Sequence, residues 1–191
     1  MSNPQNNEQF WSQWVIVNAT SFCASCFLTP IVLGVAQWFV LRRQIARISA
    51  WWILTSFVGF FVTGLVSFYL FFGSSFSYFC IRYANTNVCW VVTYTIGGAI
   101  GGAITGTHQW LLLRRHISLP GLWIVWIITS TLGWALGGAL SSAVHWKLLD
   151  TNSNFGALVI FGIIFGAVSG AITGGVLVWL LQRFSPHRRF G

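Results

Sequence analysis

Five stretches of this chain run for more than twenty residues without an Asp, Glu, Lys or Arg: Val17–Leu41, Ala50–Phe72, Cys89–Leu113, Gly121–Trp146 and Phe155–Leu181. A helix needs about 20 mostly apolar residues to cross the hydrocarbon layer of a bilayer. The expected fold is therefore all-α: a polytopic transmembrane helical bundle of about five spans. Only 6% of the 191 residues are charged, against about 25% in a soluble domain. So little charge cannot cover a water-facing surface, and the apolar surface must meet lipid. No polar linker divides the chain. The sequence predicts an exposed N-terminal tail over 1–16, one transmembrane domain over 17–183 and a basic cytoplasmic tail over 184–191.

A sentence repeats within the spans. "GVAQWFVLRR" starts at Gly34 and "GTHQWLLLRR" at Gly106, 72 residues later, with Gly, Gln-Trp, Leu and the Arg pair in register. A weaker third copy, "GVLVWLLQRF", starts at Gly175, and "GAITG" occurs at both Gly102–Gly106 and Gly170–Gly174. The unit reads as a two-helix hairpin used two and a half times in one orientation, which implies a pseudo-rotation axis along the membrane normal.

The net charge of +8 is explained by placement. Arg42, Arg43, Arg47, Arg114, Arg115, Arg183, Arg188 and Arg189 follow the repeated stretches, and only Arg82 and Lys147 lie elsewhere. Such clustering in short loops is the positive-inside signal. It predicts an N-terminus outside and a C-terminus in the cytoplasm. No basic run is interleaved with exposed aromatics, so nucleic acid is not an expected partner. Trp38, Trp110 and Trp179 each precede an Arg by four residues, about one turn deeper, and read as interface anchors beside Arg42, Arg43, Arg114, Arg115 and Arg183. The tail lacks the basic start of a secretory signal, and its Trp11 and Trp14 are expected at the outer interface.

Glycines recur at spacing four: Gly98, Gly102 and Gly106 in the third span, Gly133 and Gly137 in the fourth, Gly162, Gly166, Gly170 and Gly174 in the fifth. Small residues at this period let membrane helices approach closely. They predict helix packing, with the fifth-span stripe as a candidate docking face for another subunit.

Ionisable residues inside membranes usually mark function. The two acids, Glu8 and Asp150, both fall outside the spans, which disfavours hydrolases and proton-coupled carriers built on carboxylates. No catalytic residue is assigned. His108 lies six residues before Arg114, roughly 9 Å inside the boundary. It reads either as a neutral histidine bonded to neighbours such as Thr107, Gln109 and Gln37, or as an axial ligand for haem or chlorophyll. His145 lies near the opposite face, so the pair cannot share a metal. No metal site and no resident cofactor is expected otherwise.

The cysteines fall towards the outer side. Cys23 and Cys26 form a CxxC, while Cys80 and Cys89 bracket the longest loop, where a disulfide fits an oxidising compartment. The arrangement resembles the DsbB-type membrane thiol oxidases over the first three spans. No Arg lies near the CxxC to activate a thiolate, a departure from that pattern.

The repeated "QWFVLRR" and "QWLLLRR", each followed by a Trp-rich return helix ("AWWILTSFVGF", "LWIVWIITSTLGWALGG"), resemble a group of cyanobacterial-type multi-pass membrane proteins. The resemblance runs from about Ile31 to Arg183. It implies a bacterial inner or thylakoid membrane and carries over no activity. The leading functional expectation is a non-enzymatic subunit that docks on, or helps assemble, a larger membrane complex, or that self-associates. The alternative is a small transporter or channel with Gln37, Thr107, His108 and Gln109 as polar lining.

Overall fold

The structure of the protein is a computed structural model that describes residues 4–21, 28–45, 48–73, 76, 78, 80, 82, 86–117, 119–149 and 154–184. These residues form six α-helices: α1 Pro4–Ser21, α2 Thr29–Arg42, α3 Trp51–Phe68, α4 Thr86–Leu113, α5 Leu122–Leu149 and α6 Asn154–Phe184. A π-helical turn, Tyr69–Gly73, extends α3. Proline favours a helical first turn because its missing N–H would lack a partner there anyway, and Pro30 sits in that position in α2. At the α4–α5 turn Gly121 has φ +77°, a left-handed conformation that glycine adopts without steric cost.

Among the described residues, four helices are long and apolar enough to cross a membrane: Trp51–Gly73, Asn87–Leu113, Leu122–His145 and Phe155–Arg183. The expected first span, Val17–Leu41, is not one rod. Gln37 Nε2 donates to Asn18 Oδ1 at 2.7 Å, across 19 positions. In a continuous helix those residues would stand roughly 28 Å apart. The chain has turned back, and α1 lies beside α2. Pro30 accounts for the break: inside a longer helix it would remove a backbone hydrogen bond and clash with the preceding turn.

Each helix packs on its neighbours in sequence, and α6 closes on α1, so the contacts form a ring. The outward faces are apolar. Along α5, Ile124, Ile128, Leu132, Leu136 and Leu140 form an exposed stripe at spacing four, one side of a helix turned to lipid. The core sits near the arginine-bearing ends, where Leu41, Trp52, Leu113, Leu122, Trp126, Leu177 and Leu180 pack with Phe10 and Trp14.

That core corrects the reading of the N-terminus. The segment expected as an exposed tail over 1–16 is helical from Pro4, and Phe10 and Trp14 are buried. Its first half is rich in Asn and Gln and looks like a tail, but Phe10, Trp14 and Asn18 recur at spacing four and face α6 and the ring interior. Trp14 therefore does not stand at an outer interface. α1 runs antiparallel to α6: Trp11 Nε1 donates to the Ala171 carbonyl, while Asn18 lies against Gly170. The start of α1 thus shares an end of the bundle with the end of α6, where opposite sides had been expected for the two termini. Residues 185–191 of the basic tail, with His187, Arg188 and Arg189, lie outside the described residues, as do Cys23, Cys26, Arg47 and Asp150.

Candidate functional site

A cluster of polar side chains occupies the ring interior. It starts from three indoles on alternate helices: Trp14 of α1, Trp52 of α3 and Trp126 of α5. All three are buried. Trp52 touches both others, with ring centroids 6.3 Å from Trp14 and 6.4 Å from Trp126. A buried indole needs an acceptor for its N–H, and each finds one on an adjacent helix. Trp52 Nε1 donates to Gln37 Oε1 at 3.1 Å, Trp126 Nε1 to Gln109 Oε1 at 3.3 Å and Trp14 Nε1 to Thr173 Oγ1 at 3.2 Å.

Around Gln37 the bonding continues. Its Oε1 also accepts from Ser56 Oγ, its Nε2 donates to Asn18 Oδ1, and Asn18 Nδ2 donates to the Trp14 carbonyl. Three helices, α1, α2 and α3, are thereby tied together through one amide. Gln109 has a simpler environment, with the Trp126 indole as its one hydrogen-bond partner among the described residues. Thr105, Ser169 and Thr173 donate their hydroxyl protons to carbonyls one turn back on their own helices. Ser130 Oγ is buried without a partner. Beside these groups lies a cavity of about 20 Å³.

The sequence expectation grouped His108 with Gln37 and Gln109. The two glutamines do line the interior cavity. His108 does not: it is exposed on the outer side of α4, with Nδ1 2.8 Å from the Ile104 carbonyl. Thr107 likewise bonds back to Ala103. Adjacent helix positions are about 100° apart, so Gln109 and His108 cannot share a face. His108 is thus a helix-surface histidine held through Nδ1 by its own backbone, away from the interior cluster. Among the described residues no three His, Cys, Asp or Glu side chains converge as a metal site.

The glycines prove to be contact points within the chain. A Cβ on Gly34 would lie 2.9 Å from the Ile53 Cα, and one on Gly106 3.1 Å from the Ile127 Cα. Gly98 and Gly102 face the α5 backbone at Trp134 and Ser130, while Gly133 and Gly137 face α6 at Ser169 and Phe165. Gly166, Gly170 and Gly174 pack on Asn18 and Trp14. At these three positions α1 already covers the α6 stripe that was expected to dock another subunit. Gly162 lines a separate, mostly apolar cavity of about 250 Å³ with Phe60, Phe161 and Phe165.

At the arginine end, the guanidiniums of Arg42, Arg114 and Arg183 lie 5.1, 5.3 and 5.7 Å from the ring centroids of Trp38, Trp110 and Trp179, a cation–π geometry. Arg43 and Arg115 are exposed beside them. His116, just past α4, has its pKa lowered by burial and by the Arg115 charge. Elsewhere, Cys80 and Cys89 form a disulfide, with Cα atoms 5.8 Å apart.

Sequence reasoning missed Trp52, Trp126, Asn18 and Ser130, and placed Trp14 at the outer interface instead of in the interior. A signal was present: "WILTSFVG" from Trp52 and "WIITSTLG" from Trp126 share W-I-x-T-S-x-x-G. It places an indole one turn before a buried serine in both return helices.

Comparison of the chain with protein-family models, with curated proteins and with solved structures gives no match.

Proposed function

We propose that the chain is a non-catalytic integral membrane subunit: a self-contained helical ring whose outer surface docks on, or helps assemble, a larger membrane complex. One observation carries this reading. The middle of the ring at the arginine end is filled by Trp14, Trp52 and Trp126 together with Leu41, Leu113, Leu177 and Leu180. Interior polar groups are largely bonded to one another, which suits a rigid body better than a conduit. The exposed apolar faces of α3 and α5 are then the surfaces left for partners. In a host of the type implied by the QW-x-x-LRR resemblance, the membrane is the inner or thylakoid membrane and the complex can be photosynthetic.

The finer architecture belongs to the same proposal. Three hairpins, α2–α3, α4–α5 and α6–α1, surround one axis, the last closed by the N-terminal helix in place of a following one. Support comes from the interior indole in each return helix and from the Trp–Arg pair ending α2, α4 and α6. With arginines inside, both described ends of the chain are cytoplasmic and the Cys80–Cys89 disulfide faces the oxidising side.

The test is purification from native membranes without cross-linker. The proposal predicts a partner recovered in stoichiometric amount. A lone species that passes small solutes in liposomes would replace it with transport, the reading that the polar cavity beside Gln37 and Gln109 favours.

A further inference from the structure

We propose that the cavity at the ring centre is a binding site for one internal water molecule, held by Ser130 Oγ and Gln109 Nε2. Four observations converge. The space, about 20 Å³, is enough for a single water. Ser130 lines it and is only 2% exposed, and its Oγ has no partner. A buried hydroxyl without a partner bears the full cost of its lost hydration, which a water at this point removes. Gln109 Nε2 likewise finds no acceptor among the described residues.

The donor and acceptor inventory selects the ligand. Thr105 and Ser169 spend their protons on backbone carbonyls, so their oxygens retain capacity only as acceptors. Ser130 and Gln109 offer protons. Water accepts from the second pair and donates to the first. A bare cation would face the Gln109 N–H groups. It would also be buried with no carboxylate among the residues that line the cavity; such burial is costly.

The full-length protein in detergent, labelled at glutamine side-chain amides, should show a dipolar cross-peak between Gln109 Nε2–H and water that does not arise from proton exchange. Its absence overturns the site. Ser130→Ala discriminates by sign. With a water in place, the variant loses one of that water's partners and Tm falls, by about 2–4 °C. Without one, the substitution deletes an orphaned hydroxyl and Tm rises, contrary to the proposal. Replacing sodium with choline should leave the wild-type Tm unchanged. A sodium-specific increase would assign the cavity to a cation instead.

Discussion

Gln37 and Gln109 occupy the same place in the same motif, yet their surroundings differ. Each accepts from the indole of the following return helix. Both line the same cavity, but Gln37 is also bonded to Ser56 and to Asn18 of α1, whereas Gln109 has the Trp126 indole as its side chain's one partner among the described residues, and Ser130 on the facing helix has none. The α2–α3 hairpin has α1 beside it with a side chain of the right length to use the amide nitrogen. The α4–α5 hairpin has no such neighbour. One repeated phrase thus sets the local Trp–Gln bond, and the third element in contact decides whether the amide is fully satisfied.

The largest effect should come from separating the helix that creates this difference. Gly166→Leu drives a side chain into the Asn18 backbone, and the expected loss is about 4 kcal/mol or more, with new protease cleavage in α1. An unchanged melting curve would mean that α1 does not rest on α6. Next, the two glutamines can be compared directly. Gln37→Leu strands Asn18 Oδ1 and the Trp52 indole and should cost roughly 2–4 kcal/mol, whereas Gln109→Leu strands the Trp126 indole and removes one donor from the proposed water and should cost about 1–2 kcal/mol. Equal losses in denaturant titrations would remove the contrast.

Cys80→Ser lies away from both hairpins' interiors. It should cost about 2 kcal/mol under oxidising conditions and almost nothing in reductant; intact mass with and without alkylation checks the state of the bridge. The smallest effect concerns His116. Its folded-state pKa lies below the ordinary value, because burial and Arg115 disfavour the charged form. The unfolded chain therefore takes up a proton first as pH falls through about 6.5. Stability should decline slightly below that point, and His116→Gln should flatten the decline in a pH series of melting curves.

Much of the outer architecture was legible because it depends on local chemistry. Long uncharged runs give the long helices, and Trp38–Arg42, Trp110–Arg114 and Trp179–Arg183 meet because residues four apart share a helix face. The interior was only half legible. Gln37 and Gln109 stood out as polar groups in apolar stretches, and helical spacing puts Gln109 and His108 on different faces, but which face turns inward is decided by the facing helices. The N-terminal helix was hidden for a different reason. Its Asn and Gln content reads as a tail, and the burial of Trp14 depends on glycines some 160 positions away, at Gly174. Pro30 did carry a local warning, since a span running through it would have to break its own backbone ladder.

The closure of the ring by α1 is the central claim, and a paired-cysteine measurement reaches it directly. The Trp11 indole nitrogen lies 3.9 Å from the Cβ position of Gly175. In native membranes, Trp11→Cys with Gly175→Cys should be bridged within one chain by a short bifunctional thiol reagent, while Trp11→Cys with Tyr78→Cys, on the disulfide side, should not. Bridging of the second pair without the first would place the N-terminus at the other end of the bundle and contradict the closed ring.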